Sequence, residues 1–291
     1  MHTKRPLSIL AIAALTTGLL SGCNALGGTS NTAGGFGDCE VTGEAGSIKL
    51  ETKNPETLSI ATVLPSNGWW NGESPETVKS GFEYCMVANI AHRAGLKSVT
   101  ITHQSWDQYI SASNQDYDLS LASTTITDER KQVFDFSNPY FQSNLGVAVK
   151  KDSKVTEDNI SQHRIGVLQG NMGAQFTTDK IKPKGGPQLF QTETEMFTAL
   201  KAGQIDAVVT DTTLALTNTH ASNGELEVIA QFKVDQGYGI TFKKGSPNVD
   251  PVNQAIEQMT EDGTLDKLSE TYLKPLFGVD PNSIPHWELK G

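Results

Sequence analysis

The sequence is short of the features that mark a metalloenzyme or a nucleotide-hydrolysing one. Its three cysteines, Cys23, Cys39 and Cys85, form no Cys-x-x-Cys pair. Its histidines (His2, His92, His103, His163, His220 and His286) are scattered, with no two at metal-ligand spacing. There is no Gly-x-x-x-x-Gly-Lys phosphate loop and no nucleophile motif. Beyond residue 22 no apolar run reaches the roughly eighteen residues that a membrane-spanning helix needs. Positive charge is also scarce: 23 Lys and Arg stand against 33 Asp and Glu, a net of −10. No basic run is present, which excludes the electrostatic footprint of a nucleic-acid binder or of a protein drawn to anionic lipid. No metal and no cofactor is expected.

What is there begins with an export signal. Lys4 and Arg5 precede an apolar stretch from Leu7 to Leu20. Thr16, Thr17 and Gly18 break that stretch, so it is too short to stay in a bilayer as a permanent helix. It ends in Leu20-Ser21-Gly22-Cys23, where small residues lie extended before a thiol that can take a diacylglyceryl group. The order of charge, apolar core and Leu-Ser-Gly-Cys resembles the bacterial lipoprotein signal. Residues 1–22 are therefore read as a signal peptide and Cys23 as the lipidated residue. Two acyl chains give stable anchoring where one alone binds weakly.

Residues 24 to about 47 are rich in Gly, Ser, Thr and Asn, and the stretch 23–55 is read as the lipidated Cys and a flexible tether. With Cys23 acylated, Cys39 and Cys85 are left as an even pair in an oxidising compartment. A disulfide between them is expected, two unpaired thiols being the alternative. Removing the signal takes Lys4 and Arg5 with it, so 21 basic residues face 33 acidic ones, a net of −12. That acidity serves solubility and identifies no ligand.

From about residue 56 strand-like and helix-like stretches alternate, which predicts α/β layers. Leu58–Val63 is a first strand, and Phe82, Met86 and Ile90 give one apolar helical stripe that closes at Gly95. Val99–Thr102 is a second strand, Trp106–Ser113 a short helix and Tyr117–Leu121 a third strand. A second block repeats the pattern: Arg164–Leu168 runs into the turn Gln169-Gly170-Asn171-Met172-Gly173. A helix over 195–202 then stops at Gly203, before the strand Ala207–Thr210. Helices over 252–259 and toward Tyr272 close the chain. Two successive α/β blocks favour two lobes.

Gly81-Phe82-Glu83, Trp106-Asp107, Tyr117-Asp118-Leu119, Thr125-Ile126-Thr127-Asp128-Glu129-Arg130 and Asp135-Phe136-Ser137-Asn138-Pro139-Tyr140 fall in order. Gly203-Gln204-Ile205-Asp206-Ala207, Tyr238-Gly239-Ile240 and Asp262-Gly263-Thr264 follow them. Together, over about residues 57–277, they resemble the polar amino-acid-binding proteins of ABC importers, extracellular solute-binding protein family 3. The resemblance implies an α/β, two-lobed periplasmic-binding-protein fold (type II) with two hinge strands. Lobe 1 is placed at 56–146 plus 238–291 and lobe 2 at 147–237, with the chain crossing near Gly146 and Gly237. A ligand touching both lobes stabilises the closed state.

Arg130 is the foremost candidate site residue. Thr127 reads as a helix N-cap with Arg130 in the first turn, where a cation opposes the helix dipole and so breaks a local rule. A guanidinium can grip a carboxylate bidentately; the alternative is a solvated Arg paired with Asp128 or Glu129. The resemblance implies that Arg130 holds a ligand α-carboxylate, with Thr125 adding a hydroxyl and an N–H and Ser123 lying in the same contact loop. Asp211, which reads on its own as a helix N-cap, is implied to face the ligand's α-ammonium. At Gly170-Asn171-Met172 main-chain N–H groups meet an anion at a helix start. Asn171 stands where the family has a small hydroxyl residue, and Met172 alters the neighbouring wall. Trp106 is expected to stack on the ligand side chain, and one of Trp69 and Trp70 to join it, because two adjacent indoles do not easily both face a core.

Val63 departs from the family. It follows the first strand where an acidic residue is common, and this disfavours Lys, Arg or His as ligand. The function expected is a lipid-anchored extracytoplasmic receptor that binds a polar amino acid in an interlobe cleft. The receptor passes its ligand to ABC permease subunits; it is monomeric, touches the membrane only through its lipid, and binds no nucleic acid. The alternatives are a dehydratase-like cleft enzyme on the same fold or an extracellular sensor module.

Overall fold

The computed structural model describes residues 35–234 and 237–289. The signal peptide of residues 1–22 and the acceptor Cys23 lie outside the described residues. Among the described residues no helix is long and apolar enough to cross a membrane.

The first lobe opens with β1 (Thr57–Thr62), whose Leu58, Ile60 and Ala61 are fully buried. Helix α1 (Phe82–Arg93) follows, and every one of its residues but His92 is buried. The apolar stripe accounts for one side of that helix only. The other is covered by the residues after Gly35: Phe36, Ile48 and Leu50 pack with the same core. Thr42 N–H donates to Asn89 Oδ1 (2.8 Å), and Cys39 is joined to Cys85 by a disulfide. From residue 35 onward the stretch expected to be tether is therefore part of the folded body. Its polar residues bond to distant partners: Glu51 exchanges hydrogen bonds with Asn248, each 2.8 Å.

Strand β2 (Ser98–His103), helix α2 (Trp106–Ile110), strand β3 (Leu119–Ser120) and strand β4 (Phe134–Phe136) complete the first pass. Helix α2 starts at a capping box in which Ser105 Oγ accepts from Gln108 N–H and Gln108 Oε1 accepts from Ser105 N–H. That box fixes Trp106 as the first helical residue. The chain then crosses at β5 (Phe141–Gln142) and enters the second lobe.

There β6 (Leu145–Lys150), β7 (Ile165–Leu168), α3 (Met172–Phe176), β8 (Gln188–Phe190), α4 (Glu193–Lys201), β9 (Ala207–Asp211), α5 (Thr212–His220) and β10 (Leu226–Phe232) follow. The sheet order is β10-β6-β9-β7-β8, with β7 parallel to both β8 and β9. Strands β6, β7 and β9 are almost wholly apolar and buried because the sheet is covered on both faces. Val147, Ile165, Val209 and Phe232 belong to one cluster, and Ala148, Val208, Met196 and Leu200 to the other.

The return strand β11 (Gly237–Tyr238) pairs antiparallel with β5, so the two crossing segments form their own small ladder. Strand β12 (Thr241–Lys243) then completes the first-lobe sheet, order β2-β1-β3-β12-β4. Helices α6 (Val249–Glu261), α7 (Thr264–Tyr272) and α8 (Lys274–Phe277) add Val252, Leu268 and Phe277 to its core.

This is the two-lobed type II arrangement, and it departs from the expected boundaries in two places. Gly146 is not at the first crossing; it lies in β6, already paired in the second sheet with Thr210. Residues beyond about 284 also leave the first lobe. Trp287 N–H donates to Gln231 O (3.0 Å) and Gln231 N–H to Pro285 O (2.8 Å). Trp287 packs its ring on Phe232 at 6.1 Å, and Leu289 joins the second-lobe cluster. Two large apolar side chains find their cover there.

Candidate functional site

The loop after β3 carries Ser123, Thr124 and Thr125 and runs beside β11. Gly239 N–H donates to Thr124 O (3.0 Å), Ile126 N–H donates to Gly237 O (3.0 Å), and Thr125 bridges Tyr238. Thr127 acts as the expected cap, its Oγ1 accepting from Arg130 N–H (3.1 Å). What it caps is a single 3-10 turn, Arg130–Gln132, rather than an α-helix. The turn directs the Arg130 side chain inward, where it is 8% exposed. Its Nη1 donates to Thr125 O (2.8 Å) and its Nη2 to Gly170 O of the second lobe (3.0 Å). A solvated Arg130 paired with Asp128 is thereby ruled out; Lys131 takes that carboxylate instead (3.1 Å).

Trp106 lies against the same guanidinium, with Arg130 Cζ 5.6 Å from the ring centroid, a cation–π distance. Its ring is stacked on Tyr109 and that of Tyr109 on Phe134, while its Nε1 donates across the cleft to Gln169 O (2.9 Å). Two adjacent carbonyls of the second lobe, those of Gln169 and Gly170, thus accept from two side chains of the first. Gly170 has φ +74, and a Cβ there would lie 3.5 Å from Trp106 Nε1, so a small left-handed residue suits the approach.

Asn171 caps α3, accepting from Ala174 N–H at Oδ1 (2.9 Å) and donating through Nδ2 to Thr210 Oγ1 (3.2 Å). Its side chain is thereby turned into the second lobe. Met172 packs its side chain on that lobe's core rather than forming a wall.

Asp211 ends β9 and is buried, but its side chain makes no capping bond to α5. Burial holds its carboxyl above the usual carboxylate range, opposed by a hydrogen bond from Tyr238 and by the positive charge of Arg130. Burial likewise draws the Arg130 guanidinium below its ordinary value, and the charge of Asp211 opposes that. The two opposite charges feel one another from opposing lobes.

Ser123, Trp69 and Trp70 are placed otherwise than expected. Ser123 gives its main-chain N–H (2.7 Å) and its Oγ–H (3.1 Å) to Glu83. Both indoles of the Trp pair are 1% exposed. The loop turns on the Ser66 carbonyl, which accepts from the N–H of each Trp (3.2 and 2.7 Å). Trp69 then packs on Phe82, Phe141 and Tyr238, and Trp70 on Tyr84. Gly81 permits this turn: its φ is +122, and a Cβ there would come within 2.4 Å of Trp69 O.

Two contributors were not singled out in the sequence. Tyr238 stood in a family-like tripeptide but carried no assigned role; its hydroxyl is shared between Asp211 and Thr213 (3.3 Å to Thr213 Oγ1). Glu193 opens α4, and its carboxyl is raised to about 7 by burial and by the charge of Asp211. No sequence signal pointed to it. Among the described residues no group of three or more His, Cys, Asp or Glu is placed to hold a metal ion.

Residues 73–275 match the family described as bacterial extracellular solute-binding proteins, family 3. A probable histidine-binding protein of Neisseria gonorrhoeae is 31% identical over 201 residues, which is 66% of this chain and 74% of that protein. A glutamine-binding protein of Geobacillus stearothermophilus is 30% identical over 252 residues, covering 83% of this chain and 93% of the relative. Among solved structures, an ancestral arginine-binding protein bound to arginine superposes with a TM-score of 0.65. It is 30% identical, over 75% of this chain and 98% of the ancestral one. With the fold, the opposed Arg130 and Asp211 and the matched span in agreement, the chain belongs to the bacterial extracellular solute-binding proteins of family 3.

Proposed function

We propose that this chain is a lipid-anchored extracytoplasmic receptor that binds a polar amino acid between its lobes and delivers it to the permease subunits of an ABC importer. One observation carries the reading: a buried guanidinium from one lobe faces a buried carboxylate from the other, within range of each other's charge. A free amino acid presents the complementary pair, an α-carboxylate for Arg130 and an α-ammonium for Asp211. A carboxylate is a stronger acceptor than the Gly170 carbonyl that Arg130 now holds, because its bonds are charge-assisted. Binding therefore exchanges a weak cross-lobe bond for two strong ones, and a ligand held by both lobes favours the closed state. The relatives' names, histidine-, glutamine- and arginine-binding, support the amino-acid class. Val63 disfavours a cationic side chain.

Lipid on Cys23 keeps such a receptor beside its permease, and a monomer suffices because one chain supplies both halves of the clamp. The test is a thermal-shift screen of the chain without its leader, with Cys23 replaced, against the proteinogenic amino acids. A ligand at a hundred times its Kd stabilises by about 2.7 kcal/mol, which raises Tm by about 5–10 °C in a chain of this size. No shift with any amino acid contradicts the reading. A cleft enzyme has one observation in its favour, the Glu193 carboxyl near 7, where a proton-transfer group works best. Loss of the ligand's NMR signals over hours with the protein would select that reading.

A further inference from the structure

Helix α1 buries a glutamate that no cation accompanies. Glu83 is 0% exposed and takes part in no ion pair among the described residues. Its charge is met by four neutral donors instead. Oε1 accepts from Ser123 N–H (2.7 Å), Ser123 Oγ–H (3.1 Å) and the Tyr140 hydroxyl (2.5 Å); Oε2 accepts from Trp70 Nε1 (2.5 Å). A buried charge is expensive, and an apolar residue would fill the same space without that penalty. The arrangement therefore calls for a purpose other than filling the core.

Ser123 supplies the second half. Its φ is +47, a left-handed conformation that a residue with a side chain seldom adopts. Both of its donors converge on one oxygen of Glu83, so the carboxylate holds the turn in place. Two residues on, Thr125 bridges Tyr238 and offers its carbonyl to Arg130. On the other side Tyr140 immediately precedes β5, one of the two crossing strands.

We infer that Glu83 is a positioning residue: it holds Ser123 in its left-handed turn and so fixes the loop that sets Thr125 and Arg130, in register with the hinge strand. What the loop grips rests on the amino-acid reading above. A loop fixed before the ligand arrives loses little freedom on binding.

The test uses the leaderless chain in four forms: wild type, Glu83→Leu, Glu83→Leu with Ser123→Gly, and Trp70→Phe. Calorimetry with an amino acid is expected to show tenfold or greater weakening for Glu83→Leu. Ser123→Gly should recover at least threefold of that loss, because glycine adopts the turn without a carboxylate to hold it. Trp70→Phe, which removes the donor that does not touch the loop, should stay within twofold of wild type. Amide hydrogen exchange over residues 122–127 is expected to quicken at least tenfold in Glu83→Leu without ligand, with β6 and β9 unchanged.

Should Glu83→Leu fail to fold, Glu83→Gln accepts the same bonds more weakly and is expected to bind threefold to tenfold less tightly. Affinity within twofold of wild type together with unchanged loop exchange overturns the inference. So does a loss that Ser123→Gly leaves untouched. If the wild type binds no amino acid, the functional reading fails, and the exchange measurement alone decides whether Glu83 holds the loop.

Discussion

Removing the Cys39–Cys85 disulfide is expected to cost stability while leaving ligand affinity alone. The bridge joins residues 46 apart in sequence. Closing a loop of that length in the unfolded chain is worth about 4 kcal/mol by the chain-entropy account. Other contacts hold the same segment to the body. Phe36, Ile48 and Leu50 pack with the first-lobe core. Thr42 bonds to Asn89 (2.8 Å) and Thr264 (2.7 Å). Arg93 donates to Thr42 (3.1 Å) and Asp262 (2.5 Å). The folded state therefore keeps its shape without the bridge, and the loss is that of loop closure.

In a chain of this size each kcal/mol moves Tm by about 2–4 °C, so a fall of about 8–16 °C is expected. Differential scanning calorimetry of a Cys39→Ser, Cys85→Ala chain measures it, with reduced wild type as a second route to the same state. Glu83 and Cys85 are two residues apart on α1 and so face different sides of it. Affinity should accordingly stay within twofold. A Tm loss below about 3 °C would show that packing alone confines the loop, and a threefold change in affinity would show that α1 itself has moved.

Two further outcomes follow from the cleft. Trp106→Phe keeps a ring over Arg130 but removes the N–H that Gln169 O accepts. A net hydrogen bond of about 0.5–1.5 kcal/mol corresponds to roughly 2–12-fold weaker binding by calorimetry, and an unchanged Kd would mean that the cross-lobe bond does not support closure. Glu193→Gln tests the carboxyl raised from 4.5 to about 7. Between those values the folded chain holds a proton that the unfolded chain releases, so stability falls as pH rises through the window. The variant's Tm advantage should be near zero at pH 4.5 and should grow to the equivalent of about 1–3 kcal/mol above pH 7.5, discounted for partial exposure; an advantage independent of pH contradicts the burial of that charge.

The elements legible in the sequence were those whose pattern is local. The Phe82, Met86, Ile90 stripe became α1. The run Ile165–Leu168 followed by Gln169-Gly170-Asn171 became a strand, a turn and a capped helix. The elements that escaped are short or held from afar. Strands β5 and β11 have two residues each, too few for any alternation to register. The polar stretch after Gly35 has the composition of a tether and owes its order to partners such as Asn248, 197 residues on. The Trp69-Trp70 pair looked unable to share a core because the turn on Ser66 that separates the two rings leaves no local mark.

In the site, Arg130 broke a local rule, yet its cross-lobe partner Gly170 lies 40 residues away. Its role was legible only through the family resemblance. Glu83 lay in a family-like tripeptide, but its donors stand 13, 40 and 57 residues distant, and nothing in the neighbouring sequence announces them.

The zwitterion clamp is tested most directly by a double-mutant cycle between ligand and protein. The amino acid that binds is compared by calorimetry with its analogue lacking the α-ammonium, on wild type and on Asp211→Asn. It is then compared with its analogue lacking the α-carboxylate, on wild type and on Arg130→Ala. Each pairing should show a coupling of about 1.5 kcal/mol or more, as close charge pairs do across interfaces. Each variant should then be nearly blind to the group its missing partner would hold. Additive losses, with Arg130→Ala and Asp211→Asn still distinguishing the analogues as wild type does, would contradict the clamp.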